Sequence, residues 1–358
     1  MAQEDRDPLS PLPPVPHHPA TTSSPDSSPL SSVLPSPEKY PDLREQSESI
    51  LRNYKRVDPS DDTTHVLEAF LKCLSKEGQM NLMTDLVSVP DKLRELRDFL
   101  VAAILKPMKM AGGHPPKIPD SPTYNQRGAI EESLRTIHPS SRDDQVDLKN
   151  KCRARDGFRC VLSGFYDFNH AKEHGYPEEG SKTKLRCDAL ECAHILPFAL
   201  RKFEENKPVE KRNKAWIWWA LRRYFPFIQG KIASDSINKP ENAITLANML
   251  HPSFGNFWFA LEPLGAYRRR TYEGGFKLAA TEFIPEIITF QQHDDSVPMP
   301  DPDFLRLHFQ VAEILDVSGL SWKIDVASRE GTRMRCDIAP DGSTDIAFAI
   351  RTKMLMDI

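Results

Sequence analysis

Hydrophobic residues change their spacing at several points along the chain, and these changes divide it into segments. Across residues 41–110 they recur every three to four positions, as in Val66, Leu67, Phe70 and Leu74. This period predicts three or four short amphipathic helices. Apolar stripes of this kind more often build a core than a partner surface, so we expect a small helical module packed on, or tethered to, the rest of the chain. Recruitment of a protein partner through this module is the alternative.

Two other stretches lack that periodicity. Residues 1–40 hold ten of the 31 prolines, interleaved with serines and with almost no aromatic residues. Such a stretch cannot bury enough apolar surface to fold, which predicts a disordered tail. A ligand for proline-reading domains or a phosphorylation platform is the alternative. Residues 111–140 open with a Gly- and Pro-rich run and are predicted to form a linker.

A second patterned block is predicted over residues 141–320, followed by a poorly patterned C-terminal extension over residues 321–358. The block opens with a predicted helix at residues 141–156. In the run at residues 158–164, aromatic and branched residues precede a Ser-Gly stop, which predicts a short strand. A further helix is predicted at residues 303–315 from the spacing of its apolar positions.

The composition limits the classes of protein to consider. With 358 residues, 39% of them hydrophobic, the chain is long enough to bury at least one core. Its formal charge of −4 shows no overall bias toward nucleic acid, so local charge has to decide. Because we find neither a signal-like leader nor a long apolar run, we predict an intracellular protein of nucleus or cytoplasm, without a membrane partner. Six cysteines in such a chain do not favour a disulfide scaffold.

Two short runs carry the candidate chemistry. Residues 191–197 read Glu-Cys-Ala-His-Ile-Leu-Pro, and residues 242–251 read Asn-Ala-Ile-Thr-Leu-Ala-Asn-Met-Leu-His. The order of His194, Asn242 and His251 resembles the core of the HNH endonucleases. The Ala-His-Ile version is similar to a subgroup found in many fungal and bacterial proteins, and the aromatic run after it looks like fungal members in particular. The resemblance implies an α+β fold with a ββα-metal finger embedded in a larger mixed domain.

The resemblance also implies a role for each of the three residues. His194, at the end of the first strand, would be the general base. Asn242, before the second strand, would bond backbone groups across the motif. His251, on a short helix that begins near it and ends around Gly255, would hold a metal ion. A structural histidine and a turn asparagine are the alternatives.

The activity that the resemblance implies is metal-dependent hydrolysis of phosphodiester bonds. The implied cofactor is Mg²⁺ or Mn²⁺, with Zn²⁺ as the alternative, because hard cations bind through few protein ligands together with water and substrate phosphate. The implied partner is nucleic acid, in the first place DNA. Cleavage of RNA by a defence or toxin nuclease is a further alternative.

Several positions depart from the family pattern. Ala193 stands where many members place an aspartate before the base histidine, and Gly255 replaces a second aspartate. Ser163, Ala247 and Leu250 occupy positions where zinc-bearing relatives place cysteines, so no structural zinc of that type is expected. The missing acidic positions leave open a catalytically inactive module that keeps the fold and binds nucleic acid or protein.

Carboxylates and thiols near the first histidine offer further candidates. Strand alternation predicts that Glu191 lies on the face opposite His194. A metal site built from Cys187, Cys192 and His194, with Cys160 as a fourth ligand, matches no regular zinc spacing. Buried thiols more often act as small hydrophobic groups.

The segment between His194 and Asn242 is longer than a minimal HNH unit needs, and it is locally basic. Cationic side chains in this insertion could follow a phosphate backbone. The candidates for such contacts are Arg201, Lys202, Lys211, Arg212, Arg222 and Arg223. The aromatic residues among them, Trp216, Trp218 and Trp219, are expected to form core, with stacking on bases as the alternative.

Overall fold

A computed structural model describes the chain at residues 39–109, 118–123, 143–176, 186–200, 207–231, 237–272 and 284–333. Helices and strands are mixed throughout these ranges. Four parts of the chain lie outside them: residues 1–38 of the predicted tail, most of the predicted linker, two of the basic candidates (Arg201 and Lys202) and residues 334–358. None of the helices in the described ranges is long and apolar enough to cross a membrane.

Helices make up the described part of the chain before the predicted linker. They are α1 Tyr40–Asn53, α2 Thr63–Cys73, α3 Lys76–Ser88, α4 Leu93–Leu100 and α5 Lys106–Lys109. A π-helical turn at Val101–Leu105 joins the last two. The side chain of Ser75 caps α3 by accepting a hydrogen bond from the amide of Gly78 at 3.3 Å. The apolar stripe is buried, as Val66, Leu67 and Phe70 show.

These helices pack against a long helix of the basic insertion, α8 Pro208–Tyr224. Asp85 of α3 accepts hydrogen bonds from the guanidinium of Arg223 and from the hydroxyl of Tyr224. Asn81 donates to the carbonyl oxygen of Arg223 at 2.6 Å. Because polar and apolar contacts both cross the predicted linker, the N-terminal helices are packed on the rest of the protein.

An antiparallel strand pair lies in the middle of the chain, at β3 Leu190–His194 and β4 Ala243–Ala247, in a register that sets His194 opposite Ala243. Helix α6, Asp143–Arg155, packs against both strands. Every residue of β4 is buried, as expected for a strand covered on both faces. The predictions of a helix before the first run and of a strand after Asn242 are confirmed.

A buried ion pair at the end of α6 holds the backbone around β4. Arg155 pairs with the neighbouring Asp156 at 2.7 Å and donates to the carbonyl oxygens of Pro240 and Ala243 at 2.7 and 2.8 Å. Asp156 in turn accepts a hydrogen bond from the amide of Thr245 at 3.0 Å. The Arg-Asp pair therefore joins the end of α6 to the start and the middle of β4.

The predicted strand at residues 158–164 is wrong, because the structure has turns there with one isolated bridge from Arg159 to Tyr166. Gly157 and Phe158 both have positive φ, 63° and 54°, and two such residues in succession break an extended backbone. A hydrogen bond from the amide of Gly164 to the carbonyl oxygen of Cys160 then closes a turn. The aromatic and branched residues here are packed without forming a ladder.

Short elements surround the strand pair on either side in sequence. Before it lie β1 Tyr166–Asp167, α7 Phe168–Glu173 and β2 Cys187–Asp188, where β1 and β2 pair in parallel. After it lie α9 His251–Gly255 and a three-stranded antiparallel sheet of β5 Phe259–Leu264, β6 Ala266–Thr271 and β7 Ile287–Ile288. The tip between β5 and β6 is Gly265, whose φ of 84° favours glycine.

Two C-terminal helices complete the described structure, α10 Pro302–Val317 and α11 Leu320–Arg333. Helix α10 packs against β5 and α2, and its N-terminus is capped by Asp301. The helix predicted at residues 303–315 is thus confirmed. Helix α11 was not expected in the poorly patterned C-terminal extension.

Candidate active site

The first histidine of the motif closes β3 and is held by a residue that the sequence analysis did not single out. Nε2 of His194 lies 3.0 Å from Oδ1 of Asn238. Because an amide oxygen only accepts, Nε2 carries the proton and Nδ1 of the neutral ring is left as an acceptor. Burial lowers the pKa of His194, the bond to Asn238 opposes that shift, and the charge of His251 adds to it. The ring is therefore neutral at pH 7.

Asn238 is identified by its contact with His194 in the structure, because it belongs to no sequence motif. It lies four residues before Asn242, on the short turn that leads into β4. Its Nδ2 atom is buried and has no hydrogen-bond partner within the described ranges. A polar side chain that precedes the second run is the one sequence signal that could have drawn attention to it.

The asparagine of the motif is fully buried and bonds only to the backbone. Oδ1 of Asn242 accepts from the amide of Leu196 at 2.9 Å, and Nδ2 donates to the carbonyl oxygens of Leu196 and Ile237, each at 3.0 Å. Its own carbonyl accepts from the amide of Ile195 at 2.8 Å. These bonds join the segment after His194 to the segment that contains Asn238.

The second histidine begins α9 and contacts a carboxylate on the neighbouring strand. Nδ1 of His251 is hydrogen bonded to Oε2 of Glu191. With the carboxylate as acceptor, a neutral ring has its lone pair on Nε2. The helix begins at this histidine and ends at Gly255, as predicted.

Strict alternation along β3 was expected to set Glu191 on the face opposite His194, and Glu191 nevertheless contacts the second histidine of the motif. Leu190 and Ala193 are buried, whereas Glu191, Cys192 and His194 are all partly exposed. Glu191 thus reaches His251, and the charge of His251 acts on His194.

The basic residues of the insertion differ in what they contact. Arg212 is exposed and pairs with Asp120 at 2.7 Å, and Lys211 is partly exposed on the same helix. Arg222 is partly exposed and has an interaction of its own. Arg223 is bound to Asp85 inside the protein, which does not fit the phosphate contact predicted for it. The structure brings these four side chains onto one helix, α8.

The tryptophans of this helix belong to the core. Trp216 and Trp218 are each 1% exposed, and Trp219 is also buried. The rings of Trp216 and Trp219 pack edge-on against Phe99 of α4, with centroids 5.4 and 5.7 Å away. The expectation that these aromatic side chains form core is therefore confirmed.

A metal centre made of protein ligands alone is not built into the described ranges, since no group of three or more His, Cys, Asp or Glu side chains converges there. This argues against the site considered for Cys187, Cys192, His194 and Cys160. A site with one protein ligand, completed by water and a substrate phosphate, is compatible with the contacts of His251.

Comparison with known proteins points to the same part of the chain. Residues 160–262 match a family model described as HNH endonuclease, and this range contains His194, Asn242 and His251. The match indicates a nuclease-type function and, with it, binding of nucleic acid. No curated protein and no solved structure matches the chain.

Proposed function

We propose that this protein is a divalent-metal-dependent endonuclease that hydrolyses phosphodiester bonds, in the first place those of DNA, with His194 as the general base. The observation that carries the proposal is the hydrogen bond from Nε2 of His194 to Asn238. It leaves Nδ1 unprotonated in a ring whose lowered pKa keeps it neutral at pH 7. The match of residues 160–262 to the HNH endonuclease model gives the reaction class.

His194 supplies proton transfer in this proposal. Hydrolysis requires that the attacking water loses a proton as it approaches phosphorus, and a neutral imidazole accepts that proton. The amide oxygen of Asn238 continues to accept from Nε2 when the ring becomes charged, which stabilises the imidazolium. Asn238 is therefore a positioning residue that also supports the protonated product of this step.

Asn242 acts on the reaction indirectly, through the backbone. All of its side-chain bonds go to the backbone of Leu196 and Ile237, so it does not touch a reacting atom. Through these bonds it holds the end of β3 and the turn that contains Asn238 at a fixed separation. Its role in the proposal is to keep His194 and Asn238 aligned.

His251 fits a metal ligand by its hydrogen bonding. Histidines that bind metals usually donate their second ring nitrogen to a carboxylate or carbonyl, which fixes the tautomer. Glu191 is such a partner for Nδ1, so Nε2 of His251 would hold a Mg²⁺ or Mn²⁺ ion. When bound, the cation would neutralise the charge that develops on the phosphate.

The basic insertion would contact the phosphate backbone around the cut. Lys211 and Arg212 lie at the surface of α8, and Arg222 is partly exposed. Arg201 and Lys202 belong to the same basic segment by sequence. Arg223 is left out of this set because its partner is Asp85.

The proposal is tested by incubating the purified chain with supercoiled plasmid in Mg²⁺ or Mn²⁺. We expect nicking that EDTA prevents, and a rate roughly 10²–10⁴ times lower for His194→Ala, the usual contribution of a general base. His65→Ala is the matched control, since His65 is an exposed histidine of α2. A wild-type rate for His194→Ala, with the fold intact by circular dichroism, would contradict the assignment.

The missing acidic positions at Ala193 and Gly255 favour one alternative, a binding module without catalysis. In that case a fluorescently labelled duplex would bind the wild-type protein while the plasmid stayed supercoiled with every metal tested. A structured RNA in the same assay separates the DNA and RNA proposals, because a defence or toxin nuclease would degrade the RNA faster.

A further inference from the structure

Two cysteines that are far apart in the sequence meet between α6 and β3. Cys152 is fully buried near the end of α6, and Cys192 is partly exposed in β3. Their thiols are hydrogen bonded to each other. Both side chains pack with Leu148 and Ala243, so the pair is held in one place by the apolar contact between the helix and the strand pair.

We propose that Cys152 and Cys192 are a site of oxidative modification, at which a peroxide converts the two thiols into an intramolecular disulfide. The proposal goes beyond the nuclease function and does not depend on it. Geometry is its basis: Cys192 packs against the buried cluster that contains Cys152, and the two thiols are within hydrogen-bonding reach of each other. Exposure of Cys192 gives the oxidant access from solvent.

The two thiols have different parts in the reaction. The hydrogen bond from Cys152 lowers the pKa of Cys192, and the nearby charge of Arg155 adds to that shift. The same hydrogen bond, together with burial, raises the pKa of Cys152. Cys192 is therefore the thiol that attacks the oxidant, and Cys152 is the one that resolves the intermediate.

The chemistry balances in two steps. The sulfur of Cys192 attacks one oxygen of the peroxide, the O–O bond breaks, and the products are a sulfenic acid and one molecule of water. The sulfur of Cys152 then attacks the sulfur of Cys192, the S–O bond breaks, and the hydroxide that leaves takes up the thiol proton as a second water. A dithiol reductant reverses the change.

The disulfide would join α6 to β3 and close the chain between them into a loop. Cross-links of this kind stabilise a fold mainly by restricting the unfolded chain. We therefore expect the oxidised protein to melt about 5 °C or more above the reduced protein.

The test uses the full chain, reduced and then treated with a small excess of hydrogen peroxide. The remaining thiols are blocked with N-ethylmaleimide under denaturing conditions, and the digested protein is analysed by mass spectrometry without reduction. We expect a peptide pair linked through Cys152 and Cys192 as the main product. Cys73→Ser is the matched control, since Cys73 is also partly exposed and lies on α2, and it should form the same pair.

Two variants assign the order of the steps. In Cys152→Ser the first step stops at the sulfenic acid, which dimedone should trap on Cys192. In Cys192→Ser the cross-link and the rise in melting temperature should both disappear. The proposal fails if wild-type protein loses both thiols to N-ethylmaleimide after peroxide treatment, or if other cysteine pairs form in comparable yield. The wild-type peptide map alone decides this, even if one variant does not fold.

Discussion

Glu191 and His251 are 60 positions apart, and their side chains are hydrogen bonded where β3 passes the start of α9. Because the carboxylate accepts a hydrogen bond from Nδ1–H, this contact leaves Nε2 of His251 as the ring nitrogen with a free lone pair. It also gives a role to Glu191, a carboxylate for which strand alternation predicted the face opposite His194. Ala193 supplies no carboxylate at the position where many family members have an aspartate. Glu191 lies two residues before it in the sequence.

Glu191→Gln tests whether this carboxylate positions the metal ligand. The amide has the same size but no charge and can turn a donor toward Nδ1, so we expect Mn²⁺ affinity to fall roughly 10- to 100-fold. The measurement is a Mn²⁺ titration followed by electron paramagnetic resonance, repeated as the Mn²⁺ dependence of plasmid nicking. Glu173→Gln, at an exposed glutamate of α7, should leave both unchanged. If Glu191→Gln and Glu173→Gln bind Mn²⁺ with equal affinity, Glu191 does not position the metal ligand.

Asn238 is expected to set the pH dependence of cleavage. Asn238→Asp places a negative charge beside His194 and raises its pKa, so the acidic limb of the pH–rate profile should move to higher pH. Asn238→Ala removes a bond that raises the pKa, so that limb should move to lower pH, with a rate roughly tenfold or more below wild type from poorer alignment. The readout is the nicking rate between about pH 5 and 8.

Asn169→Ala, at an exposed asparagine of α7, is the control for both Asn238 variants. If Asn238 had only a structural role, its variants would change the rate of nicking but not the pH at which the acidic limb of the pH–rate profile lies. Shifts of that limb in opposite directions for the aspartate and alanine variants are the outcome that the hydrogen bond requires.

Arg155 should be essential for stability although it touches no reacting group. Arg155→Lys keeps the charge but cannot reach Asp156 and the carbonyl oxygens of Pro240, Ala243 and Pro298 together. We expect a loss of about 3–5 kcal/mol in the free energy of unfolding, measured by urea denaturation. Arg56→Lys, at an exposed arginine, should change it by no more than about 0.5 kcal/mol. A small loss for Arg155→Lys would show that lysine and water satisfy the same groups.

Local patterns account for what the sequence analysis predicted correctly. The helical periodicity before residue 110, the strand after Asn242 and the helix that begins at His251 are each properties of a short stretch. Clustered tryptophans in an otherwise basic helix likewise predicted burial. Each of these depends on residues a few positions apart, which is the distance over which propensity and period carry information.

Contacts between distant residues account for what was missed. The bond from His194 to Asn238 spans 44 positions, and the one from Glu191 to His251 spans 60. The predicted strand at residues 158–164 failed because positive φ angles occur just before it, at Gly157, and at its first residue, Phe158, a residue type that seldom adopts them. Neither periodicity nor spacing reports such constraints.

His308 makes the stability of the protein depend on pH. Its ring lies between those of Phe254 and Phe257, with centroids 4.0 and 4.4 Å away, and Nε2 donates to the carbonyl oxygen of Phe254 at 3.2 Å. Burial lowers the pKa of His308 to about 3. The unfolded chain has the ordinary value of about 6.5, so it binds a proton more readily than the folded protein does.

The stabilising contribution of neutral His308 is therefore complete above about pH 6.5 and is lost as the pH falls toward 3. By this linkage, the free energy of unfolding should be about 2 kcal/mol lower at pH 5 than at pH 8. Urea denaturation across that range measures it, with His308→Gln as the comparison, because glutamine does not titrate and keeps an amide that can donate to Phe254. The difference between the two proteins isolates His308 from the carboxylates that both contain. If the two unfolding energies fall in parallel as the pH is lowered, the pH dependence originates elsewhere and His308 is not the buried group responsible.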